Sequence, residues 1–408
     1  MAKRRGKKKP GARRTRNKEA SAATAAPAPL APLPDHLVED IFTRLPPKSV
    51  AVSRCVSPSW NRFISSPPFG RLYHVAKAAE AASDPVRFVS VPVDPDKHRK
   101  LLVIGASAAG PRGLAAVSMP CEGCPSVFCG AGMPCHGMVL ADRPCRGEFF
   151  ACNPSTGGVL RLPPRRPPWY FYSAGLGFDD PAGAAGTGRH KAVLLELVRT
   201  LPPSARPCCD IPKLRCSVFT VGDRQCRWRA PLGQVTPVIG GALVSTQTDP
   251  VFADGHLHWF LCRRASDGNH GDPDGILAFV LSGEFFRRIP LPSFAMGGGK
   301  PKRPVVHATL AELDGRLCLV RDLFRFPRHD APFFEVWMLH DIMSGSWSLD
   351  RRIDLTGHVS TGFRYPWQVS VLCYVHGGES PGERRKKKIA IATIDQMKYW
   401  YMALFGGV

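Results

Sequence analysis

Between Leu37 and Leu45 the apolar residues Leu37, Val38, Ile41, Phe42 and Leu45 recur at i, i+1, i+4, i+5 and i+8. That spacing places them on one face of a helix. Asp35 stands at its start, where a carboxylate can cap free amides and meet the positive dipole end. Pro46-Pro47 ends it, since proline lacks the amide donor and crowds the preceding turn. Val50, Val52, Cys55 and Val56 predict a second, shorter helix. Ser57-Pro58 reads as an N-cap followed by proline at the first helical position, opening a third helix through Trp60, Phe63 and Ile64. Three short helices in so few residues lie near the lower size limit for independent stability. A module this small and this apolar is expected to bury some of these residues against another protein.

Beyond residue 85 the period changes. Asp254-Gly255 lies between Val251-Phe252 and Leu257-His258-Trp259-Phe260, and Asp314-Gly315 between Leu310–Leu313 and Leu317–Val320. Asp-Gly supplies the positive φ of a tight hairpin turn. A second kind of hairpin follows each, near Ser282-Gly283 and near Ser344-Gly345 with Trp347 beyond. Asp-Gly and Ser-Gly hairpins thus alternate, giving four strands per repeat, the content of one propeller blade. An earlier copy runs from His136–Leu140 through Phe149–Pro163, and a half-copy from Cys216–Asp223 to Trp228. Edge blades are expected near Arg87–Ile104 and Leu372–Leu404. The alternative for this region is a pair of β-sandwiches. The prolines and glycines (40 and 39) favour many turns over long helices.

Charge divides the chain further. Ten of the net +22 charges sit in residues 1–18, which hold no acid. Such a block repels itself and buries nothing, so 1–32, with the Ala/Pro tract behind it, is expected to be a disordered tail and linker. Lys3, Arg4, Arg5, Lys7, Lys8 and Lys9 form a candidate nuclear-localisation signal, a solubilising tail being the plain alternative. The expected localisation is nucleus and/or cytoplasm. No apolar run of about 18 residues occurs, so no membrane partner is expected. The 14 cysteines are read as thiols, because the N-terminus lacks the apolar core of a secretory signal.

The helical stretch also resembles a known family. Leu33-Pro34, Glu39, Ile41, Arg44-Leu45-Pro46, Lys48-Ser49, Arg54-Cys55-Val56 and Ser59-Trp60 are similar to the plant F-box. Pro58 departs from it, standing where many members carry a basic residue, and is tolerated at a helix start. The resemblance implies docking of a Skp-type adaptor, and through it a cullin, by Leu33, Pro34, Leu37, Ile41, Leu45, Pro46, Val56 and Trp60. Asn153-Pro154-x-Thr156-Gly157, Gly175-Leu176-Gly177-Phe178-Asp179, Ile289-Pro290-Leu291-Pro292 and Glu335-Val336-Trp337 resemble the F-box-associated, kelch-related regions of such proteins, more loosely.

Catalytic motifs are missing. Gly297-Gly298-Gly299-Lys300 is followed by proline, so it is no phosphate loop, and neither a Gly-x-Ser-x-Gly elbow nor a His-Glu-x-x-His occurs. Cys121, Cys124, Cys135 and His136 have ligand spacing for zinc, but no second matching pair follows, and a thiol-rich loop fits better. No metal or cofactor is expected. The sequence therefore predicts an α plus all-β chain: tail 1–32, a three-helix F-box at 33–75, and an antiparallel, propeller-like β domain at 86–408. Its expected role is the non-catalytic, substrate-recognition subunit of a cullin-RING ubiquitin ligase that holds an unidentified target protein. The alternative is a nucleic-acid-associated protein using the tail, with steep salt dependence.

Overall fold

The computed structural model describes residues 33–81, 86–90, 100–107, 110–118, 135–143, 147–153, 156–165, 171–180, 188–198, 213–233, 243–244, 249–264, 270–292, 308–323, 333–354, 368–376, 387–394 and 400–406. The tail, with Lys3–Lys9, and Cys121 and Cys124 lie outside them.

Four helices come first: α1 (Asp35–Arg44), α2 (Pro47–Ser53), α3 (Pro58–Ile64) and α4 (Pro67–Ala81). The expected three are present, and α4 adds a fourth that carries the helical module past residue 75. Pro67-Pro68 looks like a breaker in the sequence, yet proline at a helix start gives up only an amide that has no intrahelical partner. Pro34, not Asp35, occupies the N-cap of α1, and no side chain caps it. Asp35 instead sits in the first turn, where it complements the dipole.

Among the described residues the strands follow in six antiparallel sheets, each built from strands consecutive in the chain. The first holds β1 (Val86–Ser90), β2 (Lys100–Ser107) and β3 (Gly110–Ser118). The second holds β4 (Val139–Arg143), β5 (Glu148–Asn153) and β6 (Gly158–Arg161), and the third β7 (Phe171–Asp179), β8 (Arg189–Val198) and β9 (Lys213–Thr220). In the fourth, β10 (Leu243–Val244) and β11 (Val251–Ala253) share one edge of β12 (His256–Arg264), followed by β13 (His270–Val280) and β14 (Phe285–Ile289). The fifth holds β15 (Ala308–Leu313), β16 (Arg316–Asp322), β17 (Phe333–Asp341) and β18 (Ser346–Asp354); the sixth holds β19 (Gln368–His376), β20 (Lys387–Ile394) and β21 (Trp400–Gly406). Sheets thus stand where the edge blades are expected.

Side-chain alternation explains the stacking. Leu140, Phe149 and Ala151 of the second sheet pack on Leu176, Ala192 and Leu194 of the third. The opposite face of the third, with Val193, Leu195 and Val218, meets Leu257, Trp259 and Leu277 of the fourth. The fourth in turn sets Phe260, Ile276 and Ala278 against Leu310, Leu317 and Leu319 of the fifth. A strand covered on both faces needs an unbroken apolar run, which Ala192-Val193-Leu194-Leu195 supplies. A sandwich leaves one face of each sheet outside; the third and fourth sheets have none. The series continues as β15 approaches β19, and β19 lies against β1.

Among the described residues three indole staples join successive sheets, one of them running from Trp259 Nε1 in the fourth sheet to Ser173 Oγ in the third at 3.0 Å. Trp228 Nε1 donates to the Pro163 carbonyl at 2.8 Å, and Trp347 Nε1 to the Pro290 carbonyl at 2.9 Å. This gives a physical reason for the recurring Leu-Pro and Trp phrases of the sequence. Each of these four sheets also carries an acid–arginine pair near the base of its central strands: Glu148–Arg161, Glu196–Arg215, Asp274–Arg288 and Glu335–Arg352.

The turns follow the Asp-Gly expectation in part. Asp254-Gly255 and Asp314-Gly315 both have positive φ (47° and 71°, 52° and 79°), as a primed turn requires. His136-Gly137 makes the same turn, with φ 45° and 78°, between the bridged residues Cys135 and Met138. In Ser282-Gly283-Glu284 the left-handed residue is Glu284 (φ 53°), not the glycine. Gly283 is there for room: a Cβ would lie 2.6 Å from the Phe285 ring.

Candidate adaptor-docking interface

The helical module closes around Phe42, Val50 and Phe69, with Val38, Leu45, Trp60, Phe63, Ile64 and Tyr73 packed against them. Phe42 is the hub. Its ring meets Trp60 edge-on at 5.0 Å and lies 6.2 Å from both Phe63 and Phe69. α3 is fixed by Ser57, whose Oγ accepts from the Trp60 amide at 3.1 Å, the N-cap its sequence predicts. α4 finishes the module by reaching the open end of α1: Tyr73 Oη donates to the Leu45 carbonyl at 2.8 Å, and Lys77 Nζ to the Arg44 carbonyl at 3.3 Å. Those carbonyls have no intrahelical partner, and a cation there also meets the negative dipole end.

With Val38, Phe42 and Leu45 turned inward, the rest of the apolar residues on α1 are left outside. Leu37 and Ile41, one turn apart, are 42% and 47% exposed, and Leu33 ahead of them is 56% exposed. Val52 and Val56 stand out at 61% and 64%. α1 therefore carries two apolar faces, one used by the module and one open. Burying a leucine or isoleucine contributes about 1.5–3 kcal/mol, so an open set of this size is a substantial unspent driving force.

The eight residues singled out in the sequence fall into two groups. Leu33, Pro34, Leu37, Ile41, Pro46 and Val56 are exposed, while Leu45 and Trp60 are half-buried and pack on the Phe42 hub. The second group supports the surface from beneath. Sequence reasoning missed Leu72 and Val75 on α4, which are also exposed; their three-residue spacing was the available signal.

Of the metal candidates, Cys135 and His136 lie among the described residues. Cys135 is buried, and burial first, then the nearby Glu312, pushes its thiol up to about 12, away from the thiolate a metal needs. The His136 ring stacks on Phe178 at 4.5 Å. Among the described residues no three His, Cys, Asp or Glu side chains group as metal ligands. Cys55, Cys135, Cys216, Cys226 and Cys318 are free thiols. No described helix is long and apolar enough to cross a membrane.

The small helical bundle with its open apolar face stands ahead of the β region, and residues 30–72 match the F-box domain. The chain carries an F-box and is related to plant F-box proteins. It is 29% identical over 208 residues to an Arabidopsis thaliana F-box protein, covering 49% of this chain and 46% of the relative. It is 21% identical over 291 residues to an Arabidopsis thaliana F-box/kelch-repeat protein, covering 70% of this chain and 64% of the relative. The chain thus spans about half to two thirds of the length of these relatives. Among solved structures, a bat influenza neuraminidase-like protein of subtype N11 aligns over 81% of this chain and 91% of its own at 11% identity, with a TM-score of 0.34. A likeness that low carries no argument. F-box domains bind Skp-type adaptors within cullin complexes, and F-box proteins are in general non-catalytic adaptors of those ligases.

Proposed function

We propose that this chain is the substrate-recognition subunit of a cullin-RING ubiquitin ligase, docking a Skp-type adaptor through its helical module and a target protein through its β region. The observation that carries the reading is the open apolar set Leu33, Leu37, Ile41 and Val56 on a module whose own core is already closed by Phe42. Pro34 and Pro46 bracket α1, and Leu45 and Trp60 hold it from below. The contribution to ubiquitin transfer is proximity: two docked partners raise the local concentration of a target lysine beside the conjugating enzyme.

The module is taken to extend over 33–81 and the β region over 86–408, read as a closed ring of six blades. Six consecutive sheets, stacking on both faces, and the approach of β1 to β19 support that reading. The basic run Lys3–Lys9 is proposed to direct part of the protein to the nucleus.

The test is co-capture of the purified adaptor by the full chain. Substituting Leu45 or Trp60 would damage the module's core as well, so the informative variant is Leu37→Asp with Ile41→Asp, both on the open side. Adaptor capture should be lost while thermal unfolding stays unchanged. Undiminished capture overturns the docking assignment.

A further inference from the structure

Three turns at one end of the third, fourth and fifth sheets form a continuous strip: 221–233 after β9, 281–284 between β13 and β14, and 342–345 between β17 and β18. Glu284 fastens the first two. It accepts from Arg229 at 2.6 and 2.7 Å and from the Leu232 amide at 2.9 Å. Gly233 runs so close that a Cβ on it would lie 2.6 Å from the Gly283 carbonyl oxygen. The third turn meets β14 where Arg287 donates to Met343 Sδ, and Gly345 abuts Pro290 just past that strand.

Leu232 and Met343 stand on this strip at 79% and 69% exposure, the highest of the large apolar side chains among the described residues. Single exposed apolar residues are ordinary; one on the first turn and one on the third, with Arg287 of β14 against Met343, make a candidate interaction surface. The acids of the strip are already engaged. Glu284 is buried with Arg229 and Lys191. Asp341 accepts from the Met343 and Ser344 amides at 2.9 and 3.0 Å, and Asp223 from the Gln225 amide at 3.4 Å. Arg224, Arg227 and Arg287 have no carboxylate partner among the described residues. Arg287 is also held in place, its guanidinium 5.2 Å from the centre of the Phe285 ring. A positioned arginine beside apolar anchors loses little freedom when it pairs with a carboxylate.

We infer that this strip receives an acidic segment of a protein target, Leu232 and Met343 contacting its apolar side chains and Arg224, Arg227 and Arg287 its carboxylates. The inference rests on the reading of the β region as a target receptor and names the target's chemistry: aspartate and glutamate interleaved with apolar residues.

The experiment measures fluorescence anisotropy of a short labelled peptide alternating glutamate with leucine, titrated with the full chain. Companion peptides carry lysine in place of glutamate, or glutamate alone. The glutamate–leucine peptide should bind saturably and the companions at least about ten-fold more weakly. Leu232→Ser with Met343→Ser, and separately Arg287→Glu, should each weaken binding by about ten-fold or more. Equal binding of the glutamate-only peptide would assign the attraction to the basic tail and overturn the inference, as would equal binding by the variants. The same proteins are assayed for adaptor capture. Retained capture with unaltered peptide binding removes the strip and leaves the docking assignment; lost peptide binding with retained capture supports the strip.

Discussion

The helical module and the β region treat their apolar residues in opposite ways. Among the module's described residues Phe42, Val50 and Phe69 are buried, while Leu33, Leu37, Ile41, Val52, Val56, Leu72 and Val75 remain in solvent. The third and fourth sheets are covered on both faces, and Trp259, Phe279 and Leu261 are 2% exposed or less. The third and fourth sheets are closed by their neighbours' stacking; the module keeps an apolar face open. Exposed apolar surface on a folded unit is an interaction site or an aggregation hazard, and the F-box match over residues 30–72 favours the first.

That contrast can be broken most forcefully at Glu284. It is fully buried against Lys191 and Arg229, so Glu284→Ala would leave Arg229 without its carboxylate and Lys191 with Asp179 alone. Breaking a buried pair costs about 3–5 kcal/mol, and urea denaturation of the β region should show a loss of that order while adaptor capture persists. Phe42→Ala does the converse: removing a buried phenylalanine costs about 3–5 kcal/mol, more than a module with three buried side chains can spare. Capture should vanish, with the β-region transition unmoved.

Acid should weaken the β region through two groups acting in the same direction. Burial first, then the neighbouring His256, pushes His258 from 6.5 to about 3. Its stabilising preference for the neutral form is complete above about 6.5 and is lost as pH falls toward 3. Burial alone would raise Glu284, but hydrogen bonds from Arg229 and Lys191 outweigh it and hold the carboxyl at about 2, against an ordinary 4.5. Its contribution is present above 4.5 and is lost as pH falls toward 2. Stability measured by urea should fall from pH 7 to pH 4, and His258→Gln should flatten the upper part of that fall.

Smaller effects sharpen the comparison. Trp347→Phe keeps a ring but drops the bond to the Pro290 carbonyl, for an expected loss of about 0.5–1.5 kcal/mol. Leu37→Asp with Ile41→Asp should change stability least, within about 0.5 kcal/mol, because neither side chain contributes to a core.

The module's helices and the primed turns were legible because both are local patterns. Leu37–Leu45 carries a helical period, and Asp254-Gly255 and Asp314-Gly315 carry positive φ within two residues. The division of α1 into an inward face of Val38, Phe42 and Leu45 and an outward face of Leu37 and Ile41 was not legible. Both faces are apolar, and only the arrival of Phe69 and Tyr73 from α4 decides which is covered. α4 itself was hidden by Pro67-Pro68, which punctuates a sequence yet starts a helix without penalty. Glu284 was hidden for another reason: Arg229 lies 55 and Lys191 93 positions away. No spacing rule reaches that far. Among the four acid–arginine pairs, the pattern emerges only once the strands are in register.

The central claim is that the module's open apolar face is completed by an adaptor. Hydrogen exchange of the full chain, with and without purified Skp-type adaptor, tests it most directly. Slowed exchange confined to α1, α2 and α3, with the sheets unchanged, is the expected result. Helices that exchange equally fast in both states, or slowing found only in the sheets, would contradict the account.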